Sequence, residues 1–276
     1  MAAMSEAFPL KSDDSSHNPV ASQPIDVSRL LAEAPIAHVE YFSSIGSTHD
    51  IAHELARAAG TSLPCMVVAE TQTAGRGRGQ NRWWTGGGSL AFSLVFDPSD
   101  WSIEGELSPQ RSLAVGVAIV ETVAPLVPQV RVGLHWPNDV FADGRKIAGV
   151  LVDVLAGGRH VVGIGLNVNN SLAGAPPEIS ARATSLCELT GRAFDRTAVL
   201  GELLRNLQRA MQASAADPEG FGRQFQSRCL QVGRQLTIEA AGRRTTGTCA
   251  GIAPDGALLI ETPTGIEAIY SGVLVH

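Results

Sequence analysis

No apolar stretch in this 276-residue chain approaches the roughly 18 residues that a membrane-spanning helix needs, because Gly, Pro or polar residues interrupt every run. The first residues, MAAMSEAFPLKSDD, also lack the basic start and apolar run of a secretory signal. Cysteine is sparse: Cys65, Cys187, Cys229 and Cys249 stand apart, without CxxC spacing or neighbouring histidines, so they suggest neither a zinc site nor a disulfide framework. A reducing cytoplasm fits best. With 44% hydrophobic, 17% charged and 5% aromatic residues, the composition is that of an ordinary globular protein. A net charge of −6 excludes a global basic field for nucleic acid or an anionic membrane, so any hold on anions is local. Also missing is a GxGxxG that opens a helix and is followed by an acidic residue on a second strand, which excludes a dinucleotide fold.

What is present divides the chain into three parts. Residues 1–25, rich in Ser, Pro, Asp and Ala without a hydrophobic period, read as a disordered leader too short for a DNA-binding module. Residues 26–229 alternate strand and helix patterns. A helix is expected near residues 26–34, a strand at 38–42, and a helix from Ser47 or Thr48 to Gly60. Strands follow near 65–70 and 89–96, then a helix over 108–123. Further strands are expected at 130–136, 139–142, 147–155 and 161–169, with Asp143-Gly144 as a two-residue hairpin turn. That turn makes the sheet at least partly antiparallel. Helices over 197–213 and 219–229 close this part; the first carries Leu200, Leu203, Leu204, Leu207 and Met211 as one apolar stripe. Residues 230–276 change texture to short strands broken by glycine turns, a small β-barrel.

Three stretches could carry chemistry. The first, AGRGRGQNRWWTGGGS at 74–89, contains six glycines, three arginines and two adjacent tryptophans. No acidic residue lies between Thr71 and Phe96, so the local potential is positive. Glycine lets backbone N–H groups approach phosphate oxygens, and a tryptophan face can stack a base. Phosphate and base together mean nucleotide, although alone the stretch also fits a solvated turn. The second, His135-Trp-Pro-Asn-Asp followed by Lys146 at the head of an apolar run, reads either as a plain hairpin or as a fixed cation for a carboxylate or phosphate. In the third, Gly163-Ile-Gly-Leu-Asn-Val-Asn, strand alternation puts Asn167 and Asn169 on one face, where amides could read a base or a ureido group.

Taken in order, these stretches resemble biotin protein ligases over residues 38–276, adding Gly46-Ser-Thr-His, Ala69-Glu-Thr-Gln-Thr-Ala, Gly144-Arg-Lys-Ile-Ala-Gly and Thr184-Ser-Leu. The resemblance implies an α+β fold like the catalytic domain of class II aminoacyl-tRNA synthetases, with a mixed, largely antiparallel sheet and a C-terminal SH3-like barrel. It also implies a monofunctional enzyme without DNA binding. Such an enzyme activates biotin with ATP and Mg²⁺ to biotinyl-5′-AMP, then biotinylates a lysine of a carboxylase carrier domain. By resemblance, Ser47, Thr48, His49 and Gln72 would take the biotin ring, while Gly77, Arg78, Gly79 and Lys146 would take its tail and the phosphate. Arg76, Trp83, Asn138 and Asn167 would contact the nucleotide. Lys146, Arg78 and Asp139 are the expected catalytic residues, with Asp139 also able to engage Mg²⁺ through the phosphates. No direct metal ligand is assigned, and a homodimer is left open.

One departure stands out. The family usually reads Lys-Trp-Pro-Asn-Asp where this chain has His135, which motivates the alternative of a biotinyl-AMP binder with impaired catalysis. A lipoate ligase, sharing the fold but ordinarily lacking the Gly-Arg-Gly-Arg loop followed by Trp, is the nearest alternative enzyme.

Overall fold

The computed structural model describes residues 23–103, 111–240 and 242–275, so residues 1–22 of the leader expected over 1–25 and the helix start at 108–110 lie outside the described residues. In chain order the elements begin with α1 (Val27–Glu33), β1 (His38–Phe42), α2 (Thr48–Arg57), β2 (Cys65–Ala69), β3 (Leu90–Phe96) and α3 (Arg111–Val123). Next come β4 (Val132–His135), β5 (Asp139–Ala142), β6 (Arg145–Val154), β7 (His160–Leu166), α4 (Pro177–Ser180) and α5 (Leu186–Thr190). The long α6 (Arg196–Ala216) and α7 (Pro218–Arg228) precede β8 (Gln235–Ala240), β9 (Arg243–Ile252), β10 (Leu258–Thr262), β11 (Gly265–Ile269) and β12 (Val273–Val275).

Two sheets form among the described residues. Seven strands run in the order β1-β2-β3-β7-β6-β5-β4, parallel only between β1 and β2, and five form the antiparallel order β11-β10-β9-β8-β12. The Asp143-Gly144 turn between β5 and β6 has φ of 52° and 73°, the left-handed pair a two-residue hairpin requires. β2 and β3 are buried along their whole length; α3 packs on β4, β5 and β6, and α6 packs on α3, with Leu113, Val117, Val120, Leu200, Leu203 and Leu207 buried in the core. The core continues without a break into the second sheet through Ile238, Cys249, Leu258 and Ile260. Trp136 joins the two: its Nε1 donates to Gly256 O at 3.2 Å and its backbone N to Gln231 Oε1 at 2.7 Å.

Two boundaries differ from the sequence reading. The last residues assigned to the leader belong to the fold: Ile25 is buried, and the guanidinium of the buried Arg196 bonds Gln23 O and Glu70. The strand expected to run to Asn169 stops at Leu166, so Asn167 and Asn169 do not share a strand face. Asn167 donates to Thr184 O at 3.0 Å and accepts from Asn170, while Asn169 brackets the backbone N and O of Phe194 at 2.9 and 2.8 Å. These amides lock loops, satisfying backbone groups that burial would otherwise leave unpaired.

Candidate active site

A cavity of about 770 Å³ opens between the seven-stranded sheet, the glycine-arginine loop and one end of the second sheet. All expected site residues line it except Asn167, whose buried amide donates to Thr184 O and accepts from Asn170.

The floor is made of glycines. Gly149 on β6 pairs with Gly165 on β7, and a Cβ at Gly165 would lie 2.1 Å from the Trp83 ring. At Gly149 a Cβ would meet both that ring and the end of Lys146, at 3.1 to 3.2 Å. Missing side chains thus let the indole lie down on two strands. Lys146 Nζ stands 5.6 Å from the ring centroid, within cation–π reach. Trp84 points elsewhere, against Gly86. The glycines at 149, 163 and 165 were visible in the sequence, but their use as a floor depends on which residue lies above them.

One end of the cavity is a polar lattice. Ser47 caps α2, its Oγ accepting from His49 N at 3.2 Å. Thr48 donates to Gln72 Oε1 from both its backbone N, at 2.8 Å, and its Oγ1, at 3.1 Å. Its hydroxyl also meets Ser93 Oγ at 3.0 Å. Ser93 is a site residue that sequence reasoning missed, since inside an apolar strand it carries no local signal.

The 75–83 segment is better ordered than its composition suggests. Gly77 N to Asn81 O, Asn81 N to Arg78 O and Trp83 N to Gly75 O fold it into a small hairpin, with bonds of 2.9, 3.2 and 3.0 Å. At Gly77 a Cβ would come within 3.2 Å of Asn81 O, so glycine permits the closure. Arg76 pairs with Asp50 at 2.7 Å, and Arg78 Nη1 donates 2.9 Å to Gly272 O. The second sheet therefore supplies part of the wall through Ser271–Leu274 and Glu239. Nothing in the barrel's sequence signals this, because the bonding group is a backbone carbonyl.

Opposite the hairpin, Lys146 Nζ lies 2.7 Å from Asp139 Oδ1, a charge contact without hydrogen-bond alignment. Asn138 donates 2.9 Å to Val150 O and holds the β5 end against β6. His135 also faces the cavity, stacked on Phe141 with ring centroids 4.2 Å apart. His49 Nε2 contacts Asp153 Oδ2 at 2.9 Å. Burial lowers the His49 pKa more than this carboxylate raises it. For Asp153 burial pulls upward, but the bonds from His49 and His53 together hold its pKa below the ordinary carboxylate value. A positive hairpin, a lysine on the facing strand and a polar end in one cavity can hold an anion between two cations while gripping a neutral polar ring.

Comparison with known proteins agrees with this geometry. The chain matches the Biotin/lipoate A/B protein ligase family over residues 41–169 and the Biotin protein ligase C terminal domain over residues 232–276. It is 35% identical to the biotin–[acetyl-CoA-carboxylase] ligase of Mycobacterium tuberculosis, covering 86% of this chain and 88% of that protein. It is 32% identical to the bifunctional ligase/repressor BirA of Bacillus subtilis, covering 88% of this chain and 75% of that protein. Among solved structures, the Aquifex aeolicus biotin protein ligase in complex with biotin and ATP superposes with a TM-score of 0.74 at 30% identity, over 87% of this chain and 98% of that one. In fold and in sequence over nearly its whole described length, the chain belongs to the biotin protein ligase family.

Proposed function

We propose that this chain activates biotin with ATP and transfers it to a lysine of a biotin carboxyl carrier domain, both steps occurring in the cavity between the hairpin and β6. The observation that carries this reading is the placement of Lys146 across from the arginine hairpin, with the Ser47–Thr48–Gln72 lattice at the cavity's polar end.

Biotin's ureido ring is assigned to that lattice and its carboxylate to Lys146. In the first step a carboxylate oxygen attacks the α-phosphorus of ATP, the bond to the bridging oxygen breaks, and pyrophosphate leaves. Negative charge grows on the phosphoryl oxygens, and Lys146 and Arg78 are the cations positioned to stabilise it. Trp83 offers its indole to the adenine, Arg76, Gly77 and Gly79 support the hairpin around the phosphate, and Asn138 keeps Asp139 and Lys146 in place. In the second step the carrier lysine's neutral amine attacks the acyl carbon, an amide forms, AMP leaves, and the amine gives up a proton. Asp139 is the carboxylate placed to receive it.

Mg²⁺ fits this site through the triphosphate. Asp139 Oδ1 is buried and faces Lys146 Nζ at 2.7 Å, so the carboxylate would take the ion alongside that ammonium, with phosphate and water as the ion's other ligands. Bound there, the ion supplies charge neutralisation on the phosphates. The four cysteines, all free, accord with a cytoplasmic setting. No helix among the described residues is long and apolar enough to cross a membrane.

The deciding experiment is ATP–pyrophosphate exchange with biotin and lipoate offered separately. Biotin should drive exchange and lipoate should not, and Lys146→Ala should lower the biotin-driven rate about 10²- to 10³-fold. Exchange no faster than that of Lys146→Ala would reduce the protein to a binder, and exchange with lipoate would make it a lipoate ligase.

A further inference from the structure

On the far side of the polar lattice, α2 presents His49 and His53, spaced i, i+4 on one helix face, toward Asp153 of β6. Their Nε2 atoms reach the same oxygen, Asp153 Oδ2, at 2.9 and 2.8 Å, and the ligand atoms of all three residues lie within 4.8 Å of one another. The rings meet edge to face, with centroids 4.8 Å apart, so neither blocks the other's approach to a shared point. We propose that His49, His53 and Asp153 form a binding site for one divalent transition-metal ion of the zinc class, separate from any magnesium carried by the nucleotide.

Two imidazoles and one carboxylate suit zinc or cobalt in a four-coordinate site with one position left to water. Histidines at i, i+4 on one helix face are the spacing by which a helix presents two nitrogens to one ion. Tetrahedral zinc with these ligands sets neighbouring ligand atoms about 3.3 Å apart. The two nitrogen–oxygen spacings, 2.9 and 2.8 Å, therefore have to open by about half an ångström, while the two ring nitrogens, within 4.8 Å of each other, have to settle at about 3.3 Å; Asp153, 46% exposed, is free to give way. Hydrogen bonding within the cluster leaves something over: Asp153 Oδ2 accepts from both rings, but the Nδ1 atoms of both are buried without partners. Gly163 leaves room for the His49 ring, since a Cβ there would fall 2.9 Å from Nδ1. Backbone continuity gives the site its consequence. His49 follows Ser47 and Thr48 directly, so an ion tying it to β6 pins the first turn of α2 to the sheet and stiffens the cavity wall those residues form.

The test uses the full chain, stripped with a chelator and titrated with Co²⁺. One equivalent should bind and give the visible absorption of a four-coordinate nitrogen–oxygen site, and Zn²⁺, but not Mg²⁺, should abolish it. Thermal unfolding with Zn²⁺ should be shifted upward. Asp153→Asn and His53→Ala should each weaken Co²⁺ binding by at least about tenfold; His38→Ala, altering an exposed histidine elsewhere, should bind as the parent does. No stoichiometric Co²⁺ band in the parent chain would overturn the proposal whatever the variants do. Equal affinity in the parent and in a folded Asp153→Asn protein would overturn it as well. Neither readout depends on ligase activity, so the outcome is independent of the proposed function.

Discussion

Lys146 Nζ and Asp139 Oδ1 stand 2.7 Å apart although strand pairing sets Lys146 opposite Phe141 and Asp139 opposite Gly149. The register shift between Val140 and Phe141 brings them side by side on the cavity wall. Both side chains keep some exposure, at 32% and 22%, so the pair adds no more than about 1 kcal/mol to folding. Asp139→Asn should therefore move the unfolding free energy by less than about 1 kcal/mol. On the role proposed for the carboxylate beside the phosphates' cation, pyrophosphate exchange should nevertheless fall about tenfold, with a higher Mg²⁺ requirement. Denaturant unfolding and exchange against Mg²⁺ check this; an activity loss that merely follows lost stability would make Asp139 structural.

The Trp83 indole rests where Gly165 has no side chain. Gly165→Ala should expel the ring, since aromatic carbon cannot yield to a Cβ placed 2.1 Å away, at a cost of about 1 to 3 kcal/mol. The KM for ATP should rise with it. A double-mutant cycle with Trp83→Ala supplies the check: removing the indole should erase most of the Gly165→Ala penalty. Additive penalties would mean that Trp83 does not occupy the slot in solution.

His160 gives the acid limb of stability. It is 2% exposed and stacked on Phe96, and burial foremost, with Arg111 nearby, lowers its pKa to about 4. Above about pH 6.5 the ring is neutral in both folded and unfolded chains, so it contributes nothing to the pH dependence. Below that the unfolded chain takes up a proton the folded one refuses, and stability falls until about pH 4, by up to about 3 kcal/mol. Asp153, a carboxylate with a lowered pKa, loses its contribution in a more acidic window. Urea unfolding between pH 4 and 8 should show the slope, and His160→Phe should flatten it. An unchanged slope in the variant would place the titrating group elsewhere.

Much of this fold is legible in local pattern. The Asp143-Gly144 turn, the alternating strands and the apolar stripe of α6 follow from short-range geometry, and the structure places each within a few residues of its expected position. Pattern fails where a partner is remote. Pairing of β3 with β7 joins residues about 70 positions apart, and Asp153 meets His53 across 100 positions, so the helical spacing of the two histidines gave no hint of their third partner. The shared face expected of Asn167 and Asn169 failed for a different reason: alternation holds only while the strand continues, and this one ends at Leu166. The hairpin's glycines declared backbone freedom, but its closure by Arg78 onto Gly272 rests on a carbonyl that composition does not reveal.

His135 is where the chain departs from the usual lysine of its family, and the structure gives that departure a place. The imidazole lies flat on Phe141 and lines the cavity between the hairpin and the Trp136 corner. A lysine at this position would carry a full charge on a longer side chain. One added cation near a phosphate at the cavity's rim contributes on the order of 1 kcal/mol, or about fivefold in affinity. His135→Lys should thus lower the KM for ATP about fivefold. Losing the stack on Phe141 should cost about 0.5 to 1.5 kcal/mol of stability, read in the same preparations by thermal unfolding. Exchange rates against ATP measure the rest. An unchanged KM would mean that residue 135 does not face the phosphates, leaving Lys146 and the hairpin arginines to hold the nucleotide alone.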